Sequence, residues 1–213
     1  MTIALSLDYA SALIFALTGA LAASRAQLDI VGFIFFAALT AIGGGTLRDL
    51  LLDRDPVFWI ADATPLAIAM GAAILVFFTA HLVESRLKWL IWLDAAALAI
   101  AVAAGVSVAK SLGASAGVII VMGVATGTFG GLLRDVVANE VPLVLKQGEL
   151  YVTAAVAGAG AALLASAPLA RTLLAADPIW ATVACVIVTF GLRAGSLLFG
   201  WRLPVYKSTP PRQ

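Results

Sequence analysis

With one cysteine and one histidine in 213 residues, the chain lacks the side chains from which most metal centres and thiol catalysts are built. Cys185 excludes an intramolecular disulfide and has no second thiol with which to hold a metal; it reads as a small apolar residue in a helix. His81 stands alone near the end of an apolar run and reads as an interfacial residue rather than a ligand. No group of His, Cys, Asp and Glu has metal-ligand spacing, and no serine or cysteine sits in a nucleophile motif. The expectation is a protein with no metal site, no cofactor and no enzymatic activity. Charge is scarce too: Asp, Glu, Lys and Arg make up 12% of the chain, against about 25% in a soluble domain. A net charge of +1 gives no reason to expect a nucleic acid as partner.

What is present is apolar. Hydrophobic residues make up 62% of the sequence and the mean hydropathy is +1.06, which places the chain among membrane proteins. A spanning helix needs about 20 mainly apolar residues, and seven stretches qualify: 4–24, 30–52, 63–83, 91–110, 115–138, 150–169 and 178–200. Charged and turn-forming residues are confined to the gaps between them. No stretch alternates as a barrel strand would, so the predicted fold class is an all-α integral membrane protein with seven transmembrane helices. Residues 1–7 carry no Lys or Arg, unlike the start of a signal peptide, so the first helix is expected to stay in the mature chain.

One stretch organises the rest. Thr40-Ala-Ile-Gly-Gly-Gly-Thr-Leu-Arg-Asp49 recurs as Thr126-Gly-Thr-Phe-Gly-Gly-Leu-Leu-Arg-Asp135, an offset of 86 residues from Arg48 to Arg134. The same offset maps Asp8 onto Asp94, Gly19 onto Gly105 and Pro56 onto Pro142. The chain is therefore internally duplicated. The division expected is residues 1–90 and 91–170 as two three-helix repeats, 171–203 as a seventh transmembrane helix and 204–213 as a cytoplasmic tail. Three spans is an odd number, so the second copy enters the membrane from the opposite side and the repeats are inverted. Loop Lys and Arg residues divide three (Arg54, Lys110, Arg171) against seven (Arg25, Arg86, Lys88, Lys146, Arg202, Lys207, Arg212). By the positive-inside rule this puts the N-terminus outside and the C-terminus in the cytoplasm.

Glycine in a helix costs about 1 kcal/mol relative to Ala, so Gly43, Gly44 and Gly45, and Gly130 and Gly131, are expected to break helices 2 and 5. A freed turn of backbone at membrane depth needs a water-filled or protein-covered lining, and its carbonyls can replace a cation's hydration shell. Thr40 and Thr126, one turn earlier, could add hydroxyl oxygens. The competing reading is close packing, since Gly123, Gly127 and Gly131 form a small-residue ridge matched by Ala37, Ala41 and Gly45. Arg48, Asp49, Arg134 and Asp135 are costly in a span and mark a pathway or a pair. Neighbours in sequence do not face each other on a helix, so the expected pairs are Arg48 with Asp135 and Arg134 with Asp49, with snorkelling to the headgroups as the alternative. Asp8 and Asp94 are read as opening helices 1 and 4, either as partners of the helix dipole or as mouth charges that concentrate cations. Arg193 faces a lipid phosphate, a partner helix or the pathway, and the sequence does not choose.

The doubled motif, GGGTLRD at Gly43–Asp49 and GGLLRD at Gly130–Asp135, in inverted three-helix repeats followed by a seventh helix, resembles the trimeric intracellular cation (TRIC) channels and their prokaryotic homologues. The resemblance runs over nearly the whole chain. It implies a homotrimer in a prokaryotic inner membrane. Each subunit would have its own potassium-preferring pore, kinked at Gly43, Gly44, Gly45, Gly130 and Gly131 and flanked by Arg48, Asp49, Arg134 and Asp135. Monovalent cations, potassium above all, and membrane lipid are the partners it implies, with bound lipid as an accessory. Phe129 stands where the second motif would have its first glycine. A neighbouring bacterial family with the same motif, labelled glycine transporters, implies the alternative: a secondary transporter of a small zwitterion such as glycine, rocking around a midplane site.

Overall fold

The computed structural model describes residues 3–83, 85–167 and 179–204. They form eight α-helices: α1 Ile3–Arg25, α2 Ile30–Leu51, α3 Phe58–Ala61, α4 Thr64–Thr79, α5 Arg86–Ser111, α6 Ala116–Val137, α7 Val152–Ala165 and α8 Ile179–Phe199. Single 3-10 turns cover Ala80–Leu82 and Leu143–Leu145. Among the described residues the β pairing consists of one isolated bridge, Glu149 with Arg202. Six helices are long and apolar enough to cross a membrane, α4 doing so together with its 3-10 turn. The protein is thus an all-helical, multi-pass membrane protein. In place of the expected span 150–169 stands α7, whose 14 residues rise about 21 Å. Residues 205–213 of the expected tail 204–213 and the loop charge Arg171 lie outside the described residues.

Local signals explain where the long helices begin and end. Asp29 caps α2, its side chain accepting from the Gly32 amide at 2.9 Å. Pro65 sits in the first turn of α4, where its missing amide costs nothing. After α5 the chain turns at Gly113 with φ +71°, a left-handed conformation that glycine adopts freely. The α5 helix starts at Arg86, earlier than the hydropathy suggested, because Arg86 and Lys88 extend it beyond the apolar run. That moves Asp94 from the expected first turn to the third, away from the helix dipole, and Asp8 likewise lies inside α1.

The packing unit is small residues against backbone. Gly19 of α1 lies against the Phe36 carbonyl of α2, and its repeat equivalent Gly105 of α5 lies against the Met122 carbonyl of α6. The two motif helices meet in the middle. Gly44 sits on the Thr126 carbonyl and Gly130 on the Thr40 carbonyl, each so close that a methyl group would overlap the oxygen. As the contact moves from residue 40 to 44 along α2 it moves from 130 to 126 along α6, so the two helices cross antiparallel.

Both helices are continuous through their glycines. The expected breaks at Gly43–Gly45 and Gly130–Gly131 do not occur: the helical bonding runs on through them, and at Gly44 and Gly130 the missing side chain is spent on the approach of one helix to the other, while Gly45 faces the Phe58 ring and Gly131 faces Asp94 and Tyr151.

Candidate functional site

The site grows from the two ends of that crossing. Arg48, near the end of α2, is fully buried. Its Nη1 donates to Asp8 Oδ1 of α1 at 2.7 Å, its Nη2 to Asp8 Oδ2 at 3.3 Å and its Nε to Asp49 Oδ1 at 2.8 Å. Asp49 also accepts from Arg54 Nη1 at 2.8 Å and, through Oδ2, from the Phe58 amide at 2.9 Å. The second repeat does the same with Arg134, which donates to Asp94 Oδ1 of α5 and to Asp135 Oδ1, both at 2.8 Å. Asp135 Oδ2 accepts from the Leu143 amide at 2.8 Å. Two buried arginine–aspartate clusters thus flank the helix crossing, each joining the first helix of its repeat to the motif helix.

This geometry corrects three expectations. Arg48 pairs with Asp8 rather than Asp135, and Arg134 with Asp94 rather than Asp49, so each charge is answered within its own repeat. The argument from helix faces failed because a guanidinium is long: Nε bends back to the adjacent carboxylate while the Nη atoms reach the neighbouring helix. Neither arginine snorkels, since both side chains are at zero exposure. And Asp8 and Asp94 are neither free mouth charges nor dipole partners; they are buried counter-ions that answer each arginine together with the adjacent Asp49 or Asp135.

Thr40 and Thr126 are buried, and each spends its hydroxyl proton on its own helix, donating to the carbonyls of Phe36 at 2.7 Å and Met122 at 2.6 Å. Thr126 also lines a polar cavity of about 10 Å³ bounded by α1, α2, α3, α5 and α6, with Asp8 and Ser11 on its wall. Of the motif glycines, Gly44 and Gly45 line it and Gly43 packs on Leu133. Among the described residues no group of three or more His, Cys, Asp or Glu could hold a metal ion.

Against this geometry the relatives are informative. A family model described as "Glycine transporter" matches the chain twice, over residues 5–81 and 91–167, one match to each copy of the motif. The chain belongs to the glycine transporter family. The UPF0126 inner membrane protein YadS of Escherichia coli, one curated relative, is 41% identical over 155 residues, 71% of this chain and 73% of YadS. Among solved structures, the TRIC trimeric intracellular cation channel orthologue from Rhodobacter sphaeroides is 41% identical with a TM-score of 0.85, over 94% of this chain and 100% of that one. A structure bearing on conductance through TRIC cation channels is 28% identical with a TM-score of 0.82, over 98% and 99%. Glycine transporter family and TRIC fold therefore coincide in one chain, as the doubled motif suggested.

Within this family member, four contributors escaped the sequence. Arg54 and Phe58 close the first cluster from the loop after α2: Arg54 on Asp49, and Phe58 with its ring 5.5 Å from the Arg48 guanidinium. Tyr151 and Glu149 serve the second. The Tyr151 hydroxyl donates to Asp94 Oδ2 at 2.8 Å, and its ring lies 5.0 Å from the Arg193 guanidinium. Arg193, fully buried, also lies 2.7 Å from Glu149 Oε2. Its partner is a helix-flanking loop rather than a lipid phosphate. By the 86-residue offset Arg54 maps onto Glu140, Phe58 onto Val144 and Tyr151 onto Pro65, so the duplication carried no signal for them.

Proposed function

We propose that the protein is a channel for monovalent cations, potassium-preferring, that assembles as a homotrimer with a pore through each subunit lined by α2 and α6. The observation that carries the reading is the likeness, at 41% identity and over 94% of the chain, to a structure of the TRIC trimeric intracellular cation channel orthologue. The arrangement of charge and packing supports it. An antiparallel crossing of the equivalent helices α2 and α6 is what inverted repeats produce, and the two arginine–aspartate clusters at its ends are the buried ionisable groups that membrane pathways carry. The N-terminus is placed outside and the C-terminus in the cytoplasm of a prokaryotic inner membrane, on the distribution of loop Lys and Arg.

A second reading has its own observation: the family model that matches both halves is described as a glycine transporter. In it the repeats rock about α2 and α6 and carry a small zwitterion across.

One preparation separates the two. Purified protein in a planar bilayer under a potassium chloride gradient should give discrete current steps reversing near the potassium potential, unchanged by glycine. Silence in the bilayer, with saturable glycine uptake into liposomes of the same protein, would replace the channel by the transporter.

A further inference from the structure

Beside the first cluster, where α1, α2 and α6 meet, the cavity of about 10 Å³ has Asp8 and the hydroxyl-bearing residues Ser11 and Thr126 on its wall, with enough room for about one water molecule. Ser11 and Thr126 spend their hydroxyl protons on their own helices and Asp8 is held by Arg48, and an ionisable residue with two hydroxyls inside an apolar bundle marks a pathway rather than a lipid face. Two aromatic rings stand on the wall, Phe15 from α1 and Phe58 from α3. Phe15 is almost wholly buried at 2% exposure, a fixed part of the core. Phe58 is half-buried and belongs to the four-residue helix α3, which is held by few contacts: its amide on Asp49, and its ring on Gly45 and near Arg48.

We infer that the Phe58 ring is the movable closure of this cavity and that Gly45 is the seat on which it rests. A methyl group at Gly45 would stand 2.5 Å from Phe58 Cε1 and 2.9 Å from Cζ, so the ring reaches its position only because residue 45 has no side chain. Its neighbour Gly44 faces the Thr126 carbonyl instead. The two adjacent glycines thus have separate tasks, one for the helix crossing and one for the ring. With the ring turned away, Asp8, Ser11 and Thr126 would face the aqueous loop side of the protein. Desolvation by an apolar ring is a sufficient barrier to a hydrated cation, and the barrier is lifted by rotation of one side chain while the buried ion pairs stay intact. This gives the cation pathway of the proposed function a gating residue on its first-repeat side, and rests on that reading for its meaning though not for its test.

The test is thiol accessibility in the full chain. With Cys185 replaced by serine and Ser11→Cys introduced on the cavity wall, protein in liposomes is exposed to a charged, water-soluble methanethiosulfonate, and the labelling rate is read by mass. Phe58→Ala, which removes the ring, and Gly45→Ala, which displaces it, should each speed labelling about ten-fold over the Phe58, Gly45 background. Each variant should keep a cooperative melting transition in detergent, which shows that it is folded. An unchanged Ser11→Cys rate in either variant overturns the inference. Because no ion current enters the measurement, faster labelling in a protein that carries no current would count against the channel alone, whereas current with unchanged labelling would count against Phe58 alone.

Discussion

Arg48 and Asp8, forty residues apart in sequence, meet in a buried ion pair at 2.7 Å, and Arg134 and Asp94, also forty apart, meet at 2.8 Å. The duplication is therefore one of contacts as well as of letters. Each pair ties the first helix of a repeat to its motif helix, and each arginine is held in place by the aspartate that follows it.

Removing one partner from such a pair leaves a buried charge and costs about 3–5 kcal/mol, whereas removing both is far milder. Arg48→Met and Asp8→Asn should each lower the melting temperature of the detergent-solubilised protein, and the double variant should lose less than the sum, with a coupling of about 1–3 kcal/mol. Arg48→Met with Asp135→Asn should be additive within about 0.5 kcal/mol. Coupling of Arg48 to Asp135 and not to Asp8 would contradict the pairing.

The glycines at the helix crossing should be intolerant in proportion to what they face. Gly44→Ala and Gly130→Ala each push a methyl into a backbone carbonyl that cannot turn aside, a cost of about 1–3 kcal/mol or more. Gly71→Ala on α4, with nothing within 4 Å of the new methyl, should be neutral or stabilise by up to about 1 kcal/mol through helix propensity. Melting curves of the three variants give the order directly.

Tyr151 is buried at 2% exposure and its hydroxyl is spent on Asp94. Tyr151→Phe keeps the ring against Arg193 but leaves a buried carboxylate oxygen short of a donor, a loss of about 1–3 kcal/mol. In Tyr151→Phe with Asp94→Asn that penalty should shrink, since the charge that needed the donor is gone; denaturant titration of both variants checks it.

Outside the spans, Asp62 accepts hydrogen bonds from Thr64 and from the Tyr9 hydroxyl of α1. The Thr64 bonds, with the Tyr9 bond second, hold its carboxyl below the usual carboxylate range. A lowered folded-state value means the carboxylate favours the folded loop at neutral pH, with that contribution lost as pH falls through the lowered value. As pH falls through that range the melting temperature of the wild-type protein should drop relative to that of Asp62→Asn, which lacks this contribution. Wild-type and Asp62→Asn melting curves that shift in parallel with pH would assign the effect to another group.

How much was legible in the sequence follows from what kind of signal each feature leaves. Hydropathy over about 20 residues marks a span whatever its neighbours are, so six of the long helices fall close to their expected positions. A repeated motif marks a duplication without any geometry, and the match of the family model to each half agrees with it. Arg54, Phe58, Tyr151 and Glu149 left no such trace. They lie in loops or at helix edges where the two halves differ, and only the path of the chain brings them to the buried charges.

The sequence by itself determined that this is a helical membrane protein built from two related halves, and that the arginines and aspartates of its repeated motif stand inside the apolar spans. Hydrophobicity and repetition are properties of the residues in order, and survive without coordinates. The tertiary structure decided what those residues do. Arg48 answers Asp8 and Arg134 answers Asp94 because the reach of a guanidinium and the register of neighbouring helices choose the partner. Gly44 and Gly130 join two continuous helices, where propensity alone expected two broken ones, because the closeness of another backbone is a fact of packing that no local preference encodes.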